Sequence, residues 1–168
     1  MILPYKDKKP QIASSAYVVE SAQVIGDVVI GEESSVWFNA VVRGDVNYIR
    51  IGRRTNIQDG CILHVARNKY PLIVGDEVTV GHNVTLHACR IGSRCLIGMG
   101  TVVMDGSEIG EDCIVGAGAL VTPRTLIPPR SMVLGSPAKV KRELTDKEIR
   151  SIQESANHYV GDIDSYLE

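Results

Sequence analysis

The stretch IGSRCLIGMGTVVMDGSEIGEDCIVGAGAL, residues 91–120, places an aliphatic residue at every sixth position. Glycine often follows that aliphatic residue, and a small or β-branched residue usually comes four positions after it. With a few interruptions, the spacing extends from Val18 to Val133 as a hexapeptide repeat of the form [LIV]-G-x-x-[STAVC]-x. So many copies at one period identify a repeat protein, in which stacked units share a continuous hydrophobic core.

A period of six fits neither an α-helix nor a simple hairpin, but it fits a parallel β-helix. Each hexapeptide then forms one short strand and a turn, and three of them close a triangular coil of 18 residues. The aliphatic positions fall into three columns, one for each face of the coil. The first column holds Val24, Val42, Leu63, Leu86, Val103 and Val121; the second holds Ile30, Ile51, Val74, Ile91, Ile109 and Ile127; the third holds Val36, Ile57, Val80, Ile97, Val115 and Val133. With only eight aromatic residues (one Trp, six Tyr and one Phe), the composition suits a narrow interior.

Three irregularities interrupt the count of six. Extra residues occur near Asn47–Ile49 and within Val65–Ile73, and the hexapeptide that starts at Leu86 is one residue short. We expect the two insertions to project from corners as loops, and loops on a rigid scaffold are where functional residues concentrate.

The cysteines are neither dense nor arranged in CxxC pairs, so they indicate neither a disulfide framework nor a cysteine-rich zinc site. Cys61, Cys95 and Cys113 occupy the small-residue positions of their repeats. We therefore expect these three to be buried packing residues. Cys89 falls outside those positions, and its role stays open.

The repeats end after Val133, and a different pattern follows. TDKE forms a capping box, with Thr145 as the N-cap and Glu148 three residues later. Apolar residues then recur at helical spacing: Ile149, Ile152, Ala156, Tyr159, Val160, Ile163 and Leu167. We predict an all-β β-helix domain with an N-terminal lead-in over residues 1–140. One α-helix, within residues 141–168, is expected to pack on its outside.

Composition narrows the functional classes. The chain has 168 residues and a net charge of -2, which gives no electrostatic reason to expect binding to nucleic acid or to an anionic membrane. No stretch is apolar over the length of a membrane span. The first ten residues, MILPYKDKKP, lack the apolar region of a secretory signal. A cytoplasmic location is therefore the expectation.

Three histidines lie within 24 residues, and the register brings two of them together. His64 follows Leu63 directly, and His87 follows Leu86 directly. Because these leucines are successive members of the first column, the two imidazoles should stack on neighbouring coils. Both could then reach one Zn²⁺ ion, whose bonds to histidine nitrogen are about 2.0–2.1 Å long.

His82 belongs to a different face, because it lies two residues after Val80 in the third column. Asp59 occupies the equivalent position one coil below. One narrow triangular rod cannot turn two faces toward one ion, but two rods packed side by side can. Closed three-fold symmetry repeats that contact at every interface. The register thus predicts a homotrimer with three equivalent metal sites, each shared between adjacent subunits.

The chain resembles the gamma class of carbonic anhydrases and their carbonic-anhydrase-like relatives. The resemblance covers nearly the whole chain, and three stretches carry it: VVRGDVNYIRIGRRTNIQDGCILHV, VGHNVTLHAC and LGSPAK. It implies a left-handed parallel β-helix of hexapeptide repeats with a C-terminal α-helix. It also implies reversible hydration of CO₂ to bicarbonate by a metal-bound hydroxide. Zn²⁺ is the expected metal, and the resemblance also admits Fe²⁺ or Co²⁺.

The resemblance carries particular roles onto matching positions. It makes His64, His82 and His87 the metal ligands, with His82 supplied by the adjacent subunit. Its polar positions at the subunit contact, which are either structural or catalytic, match Arg43, Asp45 and Asp59. The residue that hydrogen-bonds the metal-bound hydroxide matches Gln58, with Asn56 beside it in the same motif. Tyr159 corresponds either to a tyrosine near the active site or to an apolar packing residue.

In two places the chain departs from the best-known active members. Those members carry a glutamate after RGD and an acidic loop after the first histidine, both linked to proton transfer. Here Val46 follows RGD, and the loop VARNKYPLI contains no acid. The metal site is therefore expected to be intact and turnover to be weak. Three alternatives stay open: a hexapeptide acyl- or acetyltransferase that uses acyl-CoA, a metal-dependent thioesterase, and a metal-stabilised trimer without catalysis.

Overall fold

The three columns of aliphatic side chains stack coil upon coil, as the repeat predicts. In the computed structural model, which describes residues 1–167, the chain winds into a parallel β-helix of about seven turns followed by one α-helix. Each column pairs in parallel register; for example, Leu63 pairs with Leu86, and Leu86 with Val103. No column residue is more than 6% exposed. The predicted columns and β-helix are therefore confirmed.

Most strands are short, and they belong to two sheets because two longer strands, Gln23–Ile30 and Val41–Ile51, turn a corner and join two of the three faces. The extra residues near Asn47–Ile49 lie within the second of these strands, so the expectation of a loop there is wrong. The sheet that covers those two faces contains twelve strands: Ile2–Leu3, Gln11–Ile12, Gln23–Ile30, Val41–Ile51, Ile62–His64, Leu72–Val74, Thr85–His87, Arg90–Ile91, Val102–Val103, Glu108–Ile109, Leu120–Val121 and Leu126–Ile127. The third face contains eight: Tyr17–Val18, Ser35–Val36, Asn56–Ile57, Thr79–Val80, Leu96–Ile97, Ile114–Val115, Ser131–Leu134 and Lys139–Glu143. The last of these is antiparallel to Ser131–Leu134 and closes the stack.

The interior accepts small and aliphatic side chains, and the four cysteines lie within it, all unpaired. Cys61, Cys95 and Cys113 are fully buried, which confirms their predicted packing role, and Cys89 is only 4% exposed. Burial raises the pKa of the Cys61 thiol to about 12 and also raises the pKa of Cys89. A thiol with a raised pKa is a poor nucleophile, so these two cysteines are packing residues.

The bulky aromatic residues lie outside the β-helix, where they hold the C-terminal helix. Five of the eight aromatics form one cluster against the third face: Tyr17, Trp37, Phe38, Tyr159 and Tyr166. The ring centroids of Trp37 and Tyr166 are 5.1 Å apart, and Trp37 is 4% exposed. Such rings do not fit a narrow triangular core, so they provide the docking surface of the helix.

The helix spans Asp146–Leu167 and begins at the predicted capping box. The Glu148 backbone N–H donates to Thr145 Oγ1 at 3.3 Å, and the Thr145 N–H donates to Glu148 Oε2 at 2.9 Å. The apolar face of the helix is buried against the β-helix through Ile152, Ala156 and Ile163. No helix in residues 1–167 has the length and apolar character needed to cross a membrane.

One corner of the β-helix carries a ladder of alternating charges that the sequence analysis did not identify. Six successive coils place a residue of positive φ there: Glu33, Arg54, Glu77, Arg94, Asp112 and Arg130. Within residues 1–167, ion pairs join two of the five neighbouring pairs in this ladder, with 2.6 Å between Arg54 Nη1 and Glu33 Oε2 and 2.7 Å between Arg94 Nε and Asp112 Oδ1. Omitting one coil would bring like charges together, so the ladder favours the native order of coils.

We predict that Arg94→Glu destabilises the β-helix by about 1 kcal/mol or more. The change removes the ion pairs of Arg94 with Asp112 and Glu111, each worth roughly 0.2–1 kcal/mol, and it adds like-charge repulsion. The urea unfolding midpoint measures the effect, which should shrink in high salt because ions screen exposed charges.

Lys9→Glu, the same change of charge in the exposed N-terminal segment, is the matched control. The ladder has no role in stability if the midpoints of Arg94→Glu and Lys9→Glu agree.

Candidate metal centre

Two adjacent strands of the first face end at His64 and His87. These residues pair directly across the coils, as their register predicts. His64 Nδ1 and His87 Nε2 face each other at 3.2 Å. Two nitrogens that bind one tetrahedral cation at about 2.0–2.1 Å lie about 3.3 Å apart. The spacing of this histidine pair therefore fits a shared cation.

Carboxylates hold the opposite nitrogens of the same two rings. His64 Nε2 lies 3.0 Å from Asp45 Oδ1, and His87 Nδ1 lies 2.6 Å from Asp105 Oδ1. Arg43 forms an ion pair with the other oxygen of Asp45. Burial alone would raise the pKa of Asp45, but hydrogen bonds from His64 and Arg43 outweigh it and lower that pKa. Asp45 therefore remains a carboxylate that orients the His64 ring.

His82 lies on the third face, as predicted, and its surroundings repeat this arrangement. His82 Nδ1 is 3.0 Å from Asp59 Oδ2, and the His82 side chain is 42% exposed. Within residues 1–167, no group of three or more His, Cys, Asp or Glu side chains in one chain could hold a metal ion. A single chain thus separates the three predicted ligands into two groups, here called half-sites: the pair His64 and His87, and His82 alone.

The predicted amide residues lie on the face of His82 and are almost completely buried. Gln58 Nε2 donates to Asn56 Oδ1 at 3.0 Å, and Asn56 Nδ2 donates to Thr79 Oγ1 at 3.0 Å. Thr79 Oγ1 continues this polar chain to Ser155 Oγ of the C-terminal helix at 3.2 Å. The helix therefore fixes the orientation of both amides.

A groove between the third face and the C-terminal helix brings Gln58, His82 and Tyr159 to one surface. Burial raises the pKa of the Tyr159 hydroxyl, and the negative charges of Asp59 and Asp162 raise it further. The Tyr159 ring also packs edge-on against Trp37, with centroids 5.7 Å apart. Tyr159 thus combines the two locations suggested for it, at the groove and in the packing of the helix.

The nine predicted site residues therefore divide between two faces. Arg43 and Asp45 accompany the pair His64 and His87 on the first face. Gln58, His82 and Tyr159 line the third-face groove. Asn56 is hydrogen-bonded to Gln58, and Asp59 is paired with His82. Sequence reasoning missed Asp105, the partner of His87. The repeat register gave no signal for it, because Leu86 pairs with Val103 and the position one coil after His87 is therefore Met104.

Comparisons with known proteins agree with the fold. Residues 88–123 match the family described as bacterial transferase hexapeptide (six repeats). The chain is 53% identical to a carbonic anhydrase from Geobacillus kaustophilus, over 95% of this chain and 87% of that protein. It is 45% identical to gamma carbonic anhydrase 1, mitochondrial, from Arabidopsis thaliana, over 91% of this chain and 58% of that protein.

A crystal structure of a hexapeptide transferase family protein from Anaplasma phagocytophilum superposes with a TM-score of 0.94 at 37% identity. That match covers 98% of this chain and 97% of the other. The matches to the carbonic anhydrases extend over more than nine-tenths of the chain, at 53% and 45% identity. The chain therefore belongs to the gamma-class carbonic anhydrase and carbonic-anhydrase-like family of hexapeptide-repeat proteins.

Proposed function

We propose that this protein is a homotrimer that catalyses the reversible hydration of CO₂ to bicarbonate and a proton. Each interface holds one divalent cation between His64 and His87 of one subunit and His82 of the next. The observation that carries the proposal is the arrangement of the three rings. A carboxylate lies beside one nitrogen of each ring, which leaves the other nitrogen to bind a metal.

The donor set suits a catalytic metal better than a structural one. Three imidazole ligands leave one coordination position open, as catalytic zinc sites do. When bound, such a cation would lower the pKa of a coordinated water to about 7, which would make hydroxide available at neutral pH. Zn²⁺ is the proposed metal, and the same nitrogen donors also suit Fe²⁺ or Co²⁺.

The remaining site residues position the reactants and the interface. Gln58 and Asn56 are fixed by the polar chain to Ser155, so the Gln58 amide can orient water or substrate without rearranging. Arg43 and Asp45 hold His64 and contribute charge at the subunit contact. The loop after His64 offers no acid to take up the proton, so in this proposal buffer molecules carry it to solvent.

Acyl transfer is the second candidate, since some structural relatives carry transferase names. A transferase of this class needs one histidine as a free general base. His64 Nδ1 instead faces His87 Nε2 at 3.2 Å, and two ring nitrogens that face each other suit a shared cation better than one free base. A metal-dependent thioesterase and a trimer without catalysis would both keep the metal centre, so they differ only in the assay of turnover.

Mixing two defective variants tests whether each site is shared between subunits. His64→Ala lacks a ligand on the first face, and His82→Ala lacks the ligand on the third face. Each variant alone should bind little metal. Trimers reassembled from equal amounts should recover about a quarter of the wild-type sites, because each site needs one intact face from each of two subunits. Metal content after desalting measures the recovery.

Mixing His64→Ala with His87→Ala is the matched control, because both variants damage the same face and no interface can be complete. A shared site would be ruled out if the metal content of the first mixture stayed at the level of the separate variants.

Stopped-flow measurement of CO₂ hydration with metal-loaded protein tests the catalytic step. We expect a rate above the buffer blank that increases with buffer concentration, because proton removal depends on the buffer. His82→Ala should remove the protein-dependent rate. Acetyl-CoA turnover, measured in parallel, should be absent.

A rate equal to the blank at every buffer concentration would exclude the anhydrase activity, and acetyl transfer by metal-free protein would favour the second candidate.

A further inference from the structure

We infer that Asp105 is a positioning residue that orients His87 for the cation. The inference rests on the proposed three-histidine centre and adds to it a residue outside the motifs that carry the family resemblance. His87 Nδ1 lies 2.6 Å from Asp105 Oδ1, within hydrogen-bonding distance. It is the shortest of the three contacts between a histidine and an aspartate in the two half-sites.

The short hexapeptide that starts at Leu86 brings Asp105 to this position. Leu86 pairs with Val103, and the Gly106 N–H donates to the Ala88 carbonyl at 2.8 Å. Between these two contacts, the coil that contains Leu86 has one residue, His87, whereas the next coil, which contains Val103, has two. The additional residue is Asp105, and its carboxylate lies beside the His87 ring. The irregularity in the repeat therefore has a direct consequence for the site.

Backbone contacts on both sides hold Asp105 in place. The Arg124 N–H donates to the Asp105 carbonyl at 2.9 Å, which ties this corner to the next coil. Gly106 adopts a φ of +68°, and a Cβ at that position would come within 3.0 Å of the Tyr70 ring. The chain therefore turns sharply directly after Asp105, under the loop that follows His64. The carboxylate is presented by a rigid corner.

The contact determines which nitrogen of His87 is free. A carboxylate oxygen only accepts hydrogen bonds, so it keeps the imidazole proton on Nδ1 and leaves the lone pair on Nε2. His87 Nε2 is the atom that faces His64 Nδ1 at 3.2 Å. Asp105 thereby does for His87 what Asp45 does for His64 and Asp59 for His82. Outer carboxylates of this kind typically change metal affinity about 10–100-fold.

The test compares Asp105→Ala and Asp105→Asn with the wild type by competition titration of Zn²⁺ against a chromophoric chelator. We expect roughly 10–100-fold weaker binding for the alanine variant. A smaller loss is expected for asparagine, whose carbonyl still accepts a hydrogen bond without the charge. The visible absorption of bound Co²⁺ should also change in both variants, because it reports the ligand geometry. Glu108→Ala removes an exposed acid three residues away and is the matched control.

Urea unfolding of the metal-free variants separates a folding defect from a loss of metal affinity. If Asp105→Ala disrupts folding at this corner, Asp105→Asn still tests the role of the carboxylate. Wild-type affinity and an unchanged Co²⁺ spectrum in both variants would overturn the role of Asp105, provided that His87→Ala loses the metal. If His87→Ala binds metal like the wild type, the proposed centre itself fails.

Discussion

The structure depends on stacking each coil directly on the one below. Parallel strands pair about 4.7–4.9 Å apart, and every aliphatic column residue must meet its equivalent in the next coil to keep the interior filled. The column residues are at most 6% exposed, so a register error would put polar side chains into the core. The same constraint keeps the aromatic residues outside, where they bind the C-terminal helix to the third face.

Several residues of the proposed site lie where this regular stack is interrupted. The insertion near Asn47 and the loop after His64 meet through the Asn47 Nδ2 hydrogen bond to the Ala66 carbonyl, at 3.1 Å. The short hexapeptide at Leu86 places Asp105 beside His87. The regular coils supply rigidity, and the irregular ones direct side chains outward. A rigid scaffold that carries a few fixed polar groups suits a site whose ligands come from two faces.

Much of the fold could be predicted from the period of six. That spacing predicts the position of every column residue, the pairing of His64 with His87, and the location of His82 on a separate face. The position of Asp105 did not follow, since it depends on how a coil that lacks one residue realigns with its neighbour. The polar chain from Gln58 to Ser155 could not be predicted from the sequence either, because the repeat period does not specify where the helix packs. The ladder of alternating charges could have been predicted from the sequence, because its members all lie three residues after a second-column aliphatic residue, from Glu33 to Arg130.

The proposed metal centre needs a second copy of the chain, because its ligands lie on two different faces of one narrow rod. Native mass spectrometry of zinc-loaded, desalted protein tests this claim most directly. We expect a complex of three 18.3 kDa chains that carries three cations, one for each interface. Cations bound to separated monomers, or a trimer that retains no metal after zinc loading, would contradict it.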